Sequence, residues 1–237
     1  MKSNFQRKEF APDRELKWVL ANARAPHVLG YLRTRLIPDP DFPAAWVMSL
    51  YFDTPDWRFL GAKLSSDYRK TKVRVRWYED SASCPIGETA FLEIKRKHGA
   101  VREKVRVPLE GASQALATGK LNDEWIQRLP DRAAGTGLRL PSPLRPAFLL
   151  SYRRERFIEP GSGLRVALDR DIHVKQTYSA LLPTARRPRL PAAVLEIKGL
   201  DRPLPPVFQR LRLLGCRRET FSKYAECYAA LAAPLWQ

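Results

Sequence analysis

Charged and apolar residues alternate with a period of two over several stretches of the chain. In Thr71-Lys72-Val73-Arg74-Val75-Arg76-Trp77-Tyr78, an extended backbone turns Arg74 and Arg76 to one face and Val73, Val75 and Trp77 to the other. Phe91 to Lys97 sets Glu93, Lys95 and Lys97 opposite Leu92 and Ile94. Val101 to Val107 sets Arg102, Lys104 and Arg106 opposite Val101, Val105 and Val107, and Leu195-Glu196-Ile197-Lys198 repeats the pattern. One such strand is usually a half-solvated edge, whereas several in one chain point to a shared cavity.

The same periodicity predicts a strand over Arg14–Ala21, a second over Trp46–Asp53, and three more at about 72–79, 89–97 and 101–108, with Gly99 at the last turn. Between the first two the period lengthens. Val28, Leu29, Leu32 and Leu36 have helical spacing over Pro26–Leu36, with Pro26 in the first turn. Asp53-Thr54-Pro55-Asp56 predicts a helix start, capped by Asp53 or Thr54 with Pro55 in the first turn, running through Leu64. Residues 112–130 read as helix and Pro130–Pro146 as a connection. Phe148–Glu159 and Gly163–Asp169 read as a hairpin about Pro160–Gly163, followed by a poorly patterned stretch to Pro191. The last strand is Ala193–Gly199, and Pro205–Leu214 and Ser222–Leu231 close the chain as helices. Consecutive strands with helices at turns and ends predict an α+β domain spanning residues 1–237, its antiparallel sheet closing into a barrel tunnel flanked by helices. The charged face would line the lumen and the apolar face would lie outside, under the helices, which inverts the usual arrangement.

Composition sharpens this. At 237 residues, with 44% hydrophobic residues, six Trp and ten Phe, the chain can build a substantial core. Lys and Arg outnumber Asp and Glu by 42 to 25, for a formal charge of +17 and a pI near 10.2, so the expected partner is an anion. Cys84, Cys216 and Cys227 have no metal-ligand spacing, and their odd count suits a reducing compartment. His27, His98 and His173 are scattered. The N-terminus shows no signal-peptide pattern and no apolar run reaches membrane-spanning length, so the expected location is cytoplasmic with no membrane segment.

Rigidly held Arg and Lys are what a chain of phosphates requires, since each oxygen takes charge-assisted hydrogen bonds. The embedded Glu15, Glu93 and Glu196 repel phosphate, but suit hard oxygen ligation of Mg²⁺ or Mn²⁺ beside a triphosphate. Each lies two residues before a lysine: Lys17, Lys95 and Lys198.

Asp13-Arg14-Glu15-Leu16-Lys17 resembles the ExExK-type first strand of the triphosphate tunnel metalloenzymes, the CYTH-like superfamily, with Asp in place of the first Glu. The ordered series Leu16-Lys17-Trp18-Val19, Ser49-Leu50-Tyr51-Phe52-Asp53, Arg74-Val75-Arg76-Trp77-Tyr78, Leu92-Glu93-Ile94-Lys95, Leu195-Glu196-Ile197-Lys198 and Phe221-Ser222-Lys223-Tyr224 resembles the vacuolar transporter chaperone (VTC) polyphosphate polymerase domain over Arg14–Tyr228. The resemblance implies phosphoryl transfer from ATP or another triphosphate to inorganic polyphosphate, with Mn²⁺ or Mg²⁺ as cofactor. It implies phosphate contacts from Lys17, Arg74, Arg76, Lys95, Lys104, Tyr152, Arg154, Arg165, Lys198, Ser222 and Lys223. Of these Arg74, Arg76, Lys95, Arg154 and Lys198 would be catalytic; Glu196, with Glu15 and Glu93, would hold the metal. Ser222 and Lys223 would close one end of the tunnel, where helix N-terminal amides favour phosphate. The chain departs from the pattern at Glu219-Thr220, where a basic residue is expected before Phe-Ser-Lys, and the reading expects a free-standing domain, without the N-terminal phosphate-sensing domain and membrane segments of the eukaryotic polymerases.

Plainer roles compete. Arg102 and Arg106 suit a solvated barrel rim, Asp53 a helix cap, and Trp18, Trp46 and Trp77 the core, although Trp77 or Tyr78 could stack on a base. Glu93 could simply pair with a neighbouring base. In function, the same scaffold could hydrolyse an inorganic or organic triphosphate with water as acceptor. A non-catalytic binder of polyphosphate or nucleic acid is the third reading; no specific nucleic acid is expected, since that reading leaves the glutamates unexplained.

Overall fold

A computed structural model describes residues 6–10, 15–80, 86–199 and 203–233, with backbone alone for 6–10. Asp13, Arg14 and Cys84 lie outside the described residues. The strands are β1 (Gln6–Phe10), β2 (Leu16–Ala21), β3 (Ile37–Pro38), β4 (Ala44–Asp53), β5 (Arg69–Glu79) and β6 (Ala90–His98), followed by β7 (Val101–Leu109), β8 (Arg145–Ile158), β9 (Arg165–Thr177), β10 (Ala192–Lys198) and β11 (Arg217–Arg218). The helices are α1 (Ala25–Arg33), α2 (Arg58–Leu64), α3 (Ala112–Thr118), α4 (Glu124–Gln127) and α5 (Lys223–Ala232). All strands join one sheet, in the order β1-β7-β6-β5-β4-β8-β9-β10-β2-β11 with β3 on β8, and the pairings are antiparallel. The expected α+β antiparallel tunnel is thus present. Among the described residues its two ends, β1 and β11, do not pair, so the barrel is curled rather than closed by a continuous ladder.

Strand parity decides which face each residue takes. Val73, Val75, Trp77, Leu92, Ile94 and Val105 point outward, where Leu116 of α3, Ile126 of α4 and the 3₁₀ residues Leu129 and Ala133 cover them. Trp18, Leu20, Val166, Leu168, Leu195 and Ile197 do the same beneath Val28, Leu29 and Leu32 of α1 and Phe208 and Leu211. Burying each such side chain contributes about 1.5–3 kcal/mol. α5 behaves differently. Its Tyr224 ring stacks 4.6 Å from Tyr51 and 5.2 Å from Phe148, residues that share the face of Arg74, so this helix packs across part of the charged side.

Several boundaries depart from the sequence pattern for local reasons. α2 begins at Arg58, and Pro55 sits in the turn before it. Asp53 still caps the helix from a distance, accepting from the amides of Phe59 (2.9 Å) and Leu60 (3.0 Å), while Thr54 Oγ1 accepts from Arg58 N. The Tyr224 hydroxyl donates to Asp53 at 2.7 Å, joining α2 to α5; burial pushes this carboxyl up despite the bonds from Phe59 and Tyr224. The span 112–130 is not one helix. It breaks at Gly119, where a Cβ would come within 2.8 Å of the Ala115 carbonyl. β9 continues past Asp169 to Thr177. Pro206–Arg212 is 3₁₀ rather than α, and β1 and β11 were not marked by any alternating run. Trp18 and Trp77 are core residues, whereas Trp46 is half-buried, edge-on to His173.

Candidate active site: a basic lumen

The concave face of the sheet encloses a cavity of about 1670 Å³. On one wall, β5, β6 and β7 align lumen-facing residues in cross-strand rows. Arg74 stands opposite Glu93 and Glu93 opposite Arg106; the next row is Lys72, Lys95, Lys104; the last is Lys70, Lys97, Arg102. The first row carries a carboxylate between its two arginines. Glu93 Oε2 accepts from Arg74 Nε (2.8 Å) and Nη2 (2.6 Å) and lies 3.5 Å from Arg76 Nη1, while Oε1 lies 3.7 Å from Lys104 Nζ and 3.8 Å from Arg106 Nε. Against the desolvation of burial, Arg76 and then Arg74 hold the Glu93 carboxyl well below its usual range. Arg74 also donates to the Tyr51 hydroxyl (3.3 Å), and Arg76 to Tyr152 (3.2 Å) and Ser49 (3.4 Å). Both guanidiniums are therefore fixed in the wall before any ligand arrives.

The other two rows carry six cations and no carboxylate in register. Like charges directly opposed across strands destabilise a sheet, and the lysines respond. Desolvation, then Arg74, pushes the half-buried Lys72 down to about 7 and Lys95 down to about 6. A bound polyanion would restore both charges. Triphosphate binding should therefore take up protons near pH 7, and affinity should fall as pH rises through that value. In the empty protein the folded state holds fewer protons on Lys72 than the unfolded chain between its depressed value and about 10.5, so stability should rise with pH across that window. Calorimetry in buffers of different ionisation enthalpy checks the uptake, and Lys72→Met should reduce it.

The opposite wall is built on β8, β9, β10 and β2. Arg154 faces Asp169 in register and grips it with Nε (2.5 Å) and Nη2 (2.6 Å), the latter also reaching Glu196 Oε2 at 3.2 Å. Lys223, the first residue of α5, lies 2.5 Å from Asp169 Oδ2 and 3.4 Å from Glu196 Oε1, with Nζ 4.8 Å from the Tyr152 ring centroid. Lys17, opposite Glu196, lies 3.6 Å from Glu196 and 3.5 Å from Glu15, and donates to the Phe221 carbonyl at 3.0 Å. Burial opposes ionisation of Glu196, but Lys223, Arg154 and Lys17 hold it well below its usual range; Arg154 and Lys223 lower Asp169 against its own burial. Lys223 in turn is raised, against burial, by Asp169 and Glu196. Arg165 and Lys198 pair across β9 and β10 and line the cavity. Ser222 caps α5, its Oγ accepting from Ala225 N.

All the phosphate ligands expected from sequence thus border one lumen, either lining it directly or lying in the wall behind. The three expected metal ligands divide. Glu15 and Glu196 meet at Lys17, whereas Glu93 has no ion-pair partner in common with them and is caged by four cations. Among the described residues no three His, Cys, Asp or Glu side chains gather as a metal cage. A divalent ion fits only on shared terms, one or two carboxylates plus phosphate oxygens and water, which is how Mg²⁺ commonly binds.

Five contributors were not among the ligands expected from sequence. Lys72 has the parity of Arg74, and Lys70, Lys97 and Arg102 extend the same faces; Asp169 is visible only through the hairpin register that puts it opposite Arg154. Arg106, set aside as a rim residue, faces Glu93 and lies over the Phe91 ring, its Cζ 3.5 Å from the centroid. At the departure noted above, Glu219 N donates to the Lys17 carbonyl, and Glu219 and Thr220 line the cavity next to Arg218.

A tunnel of antiparallel strands with its basic face inward defines the class of protein. The profile of the VTC domain matches residues 13–232, and the chain belongs to the VTC domain family. Comparison with curated proteins finds no match. Among solved structures, the chain is similar to a Bacillus halodurans candidate adenylate cyclase (16% identity, TM-score 0.49, covering 89% of this chain and 93% of that one). It is also similar to a Hippeastrum candidate adenylyl cyclase described as having a dominant triphosphatase activity (15% identity, TM-score 0.49, 94% and 98% covered). A mimivirus capping-enzyme triphosphatase is more distant (9% identity, TM-score 0.33, 86% and 87% covered). Among the described residues no helix is long and apolar enough to cross a membrane.

Proposed function

We propose that the chain is a polyphosphate polymerase, transferring the terminal phosphoryl group of ATP or another triphosphate to a polyphosphate chain held in the lumen. The observation that carries this reading is the depth of the basic face, whose rows Lys72-Lys95-Lys104 and Lys70-Lys97-Arg102 continue in register beyond Arg74. A single triphosphate is served by the levels of Arg76, Arg74 and Lys72. The further row extends the same basic face to the length of a longer anion.

Phosphoryl transfer asks little covalent chemistry of a protein, and is promoted by alignment and by cations on developing charge. Arg74 and Arg76, locked by Glu93, Tyr51 and Tyr152, would hold phosphate oxygens in fixed directions. Arg154, Lys95 and Lys198 would neutralise the transferring group, with Lys17, Lys104, Arg165, Ser222 and Lys223 positioning its neighbours. Glu196, with Glu15 across Lys17, would hold Mg²⁺ or Mn²⁺, which supplies Lewis-acid charge to the phosphate oxygens when bound. Glu93 serves here as the anchor of the arginines rather than as a ligand.

The same geometry with water as acceptor is a triphosphatase. Chain length separates the two. In a Lys70→Ala/Lys97→Ala/Arg102→Ala variant, affinity for long polyphosphate should drop by roughly a hundredfold, three exposed charge contacts at about 1 kcal/mol each. Affinity for inorganic triphosphate should stay within about threefold. Equal losses for both ligands in a competition assay would show that the outer row does not read chain length.

A further inference from the structure

The two ends of the lumen differ in chemistry. One ends in the row Lys70, Lys97 and Arg102. At the other, two residues beyond Arg76 on β5, stands Tyr78, and Phe91 lies directly opposite Arg76 on β6. Both rings line the cavity and each has a guanidinium over it: Arg156 Cζ is 5.5 Å from the Tyr78 centroid and Arg106 Cζ 3.5 Å from that of Phe91. Arg156 is held by donating to the Phe42 carbonyl at 3.0 Å. Phe42 itself is 64% exposed and also lines the cavity, as does Ile86, 46% exposed, whose amide donates to the Tyr78 carbonyl. The Tyr78 hydroxyl is lowered by Arg76, with Arg156 and Arg106 contributing, against burial and Glu93. The exposed aromatic near the lysine end, Tyr68, packs edge-on against His98 and does not line the cavity.

Phosphate has no use for aromatic rings, exposed apolar side chains and flat guanidiniums. A heterocyclic base does: stacking on aromatic and guanidinium planes holds bases with little regard to which base is present. We infer that Tyr78, Phe91, Arg106 and Arg156 form a base-stacking platform that takes the nucleoside of the triphosphate and fixes its polarity in the tunnel. This deepens the reading above and rests on it. With the base on Tyr78 and Phe91, the phosphates run past Arg76, Arg74 and Lys72 in that order and point toward the lysine end. The platform offers planes rather than a matched set of hydrogen-bonding edges, so adenine and guanine nucleotides should bind within a few-fold of each other.

The test compares ligands within each protein. ATP, GTP and inorganic triphosphate are titrated by calorimetry into the full chain and into Tyr78→Leu and Phe91→Leu. Loss of one stacking partner should weaken both nucleotides by roughly five- to a hundredfold and leave inorganic triphosphate within about twofold. A parallel loss for all three ligands, or no loss for any, overturns the platform. Should the variants fold poorly, the fluorescence of etheno-ATP bound to the unaltered protein decides: quenching that ATP reverses supports stacking, and an unquenched bound nucleotide refutes it. If the unaltered protein binds no triphosphate at all, the functional reading falls first, and the platform with it.

Discussion

Glu196→Gln should lower metal-dependent turnover by roughly a hundredfold or more, because a metal shared with phosphate is worth several kcal/mol and this carboxylate is the ligand proposed for it. The fold should survive. Arg154 and Lys223 keep Asp169 as a partner at 2.5–2.6 Å, and Lys17 keeps Glu15 and the Phe221 carbonyl. A second consequence runs in the opposite direction. With a negative charge removed from beside Lys17, Arg154 and Lys223, triphosphate should bind the variant more tightly than the parent when a chelator removes free metal. Turnover with Mn²⁺ or Mg²⁺ and binding in chelator together check this, and unchanged turnover would remove Glu196 from the metal role.

Arg74→Ala should cost both stability and binding. Arg74 and Glu93 are 9% and 3% exposed, and removing one partner of a buried ion pair costs about 3–5 kcal/mol. Arg76, Lys104 and Arg106 remain near Glu93 and should keep the loss toward the lower figure. The pH dependence has a definite sign. Because the folded Glu93 carboxyl is held well below its ordinary 4.5, its contribution is complete above that value and is lost as pH falls toward the depressed one. The stability gap between parent and variant should therefore be full at neutral pH and shrink on acidification. Chemical denaturation at several pH values measures it; a gap independent of pH would mean that Glu93 is not the group Arg74 serves.

The alternation of β5, β6, β7 and β10 carried most of the architecture into the sequence. Where charge and apolar residues exchange every second position, only a sheet with one polar and one apolar face accommodates both; two outer core clusters take up the apolar set, and a third lies under α5 on the charged side. The basic lumen follows from the same parity, which also included Lys72. What parity cannot show is which strands become neighbours. Asp169 matters because β8 and β9 put it opposite Arg154, and Glu93 became an anchor because β5 and β7 bring four cations around it. Both are facts of register between strands.

The second half of β9 was hidden for a further reason. Asp171 adopts a left-handed backbone (φ 56°), held by Asn22 through its amide and carboxylate, and the pairing with β8 slips on either side of Ser151. A bulge shifts the alternation by one, and the strand no longer reads as a strand. The helix expected over 112–130 failed where a close approach demanded Gly119, and α2 began late because Asp53 caps from a distance rather than from the position next to the first turn. The Glu15–Glu93–Glu196 grouping followed from a shared Glu-x-Lys spacing, a local pattern that β6 and β10 carry to different walls of the sheet.

The central claim is that the lumen extends a phosphate chain. Purified protein incubated with ATP and Mn²⁺ or Mg²⁺, with and without a short polyphosphate primer, and resolved on a gel beside an assay of released phosphate, tests it most directly. The account predicts long anionic chains whose appearance tracks nucleotide consumption. ATP consumed with phosphate as the sole product would contradict it, making the lumen a hydrolytic site, as would intact ATP with a metal titrating normally, which would make it a binding site only.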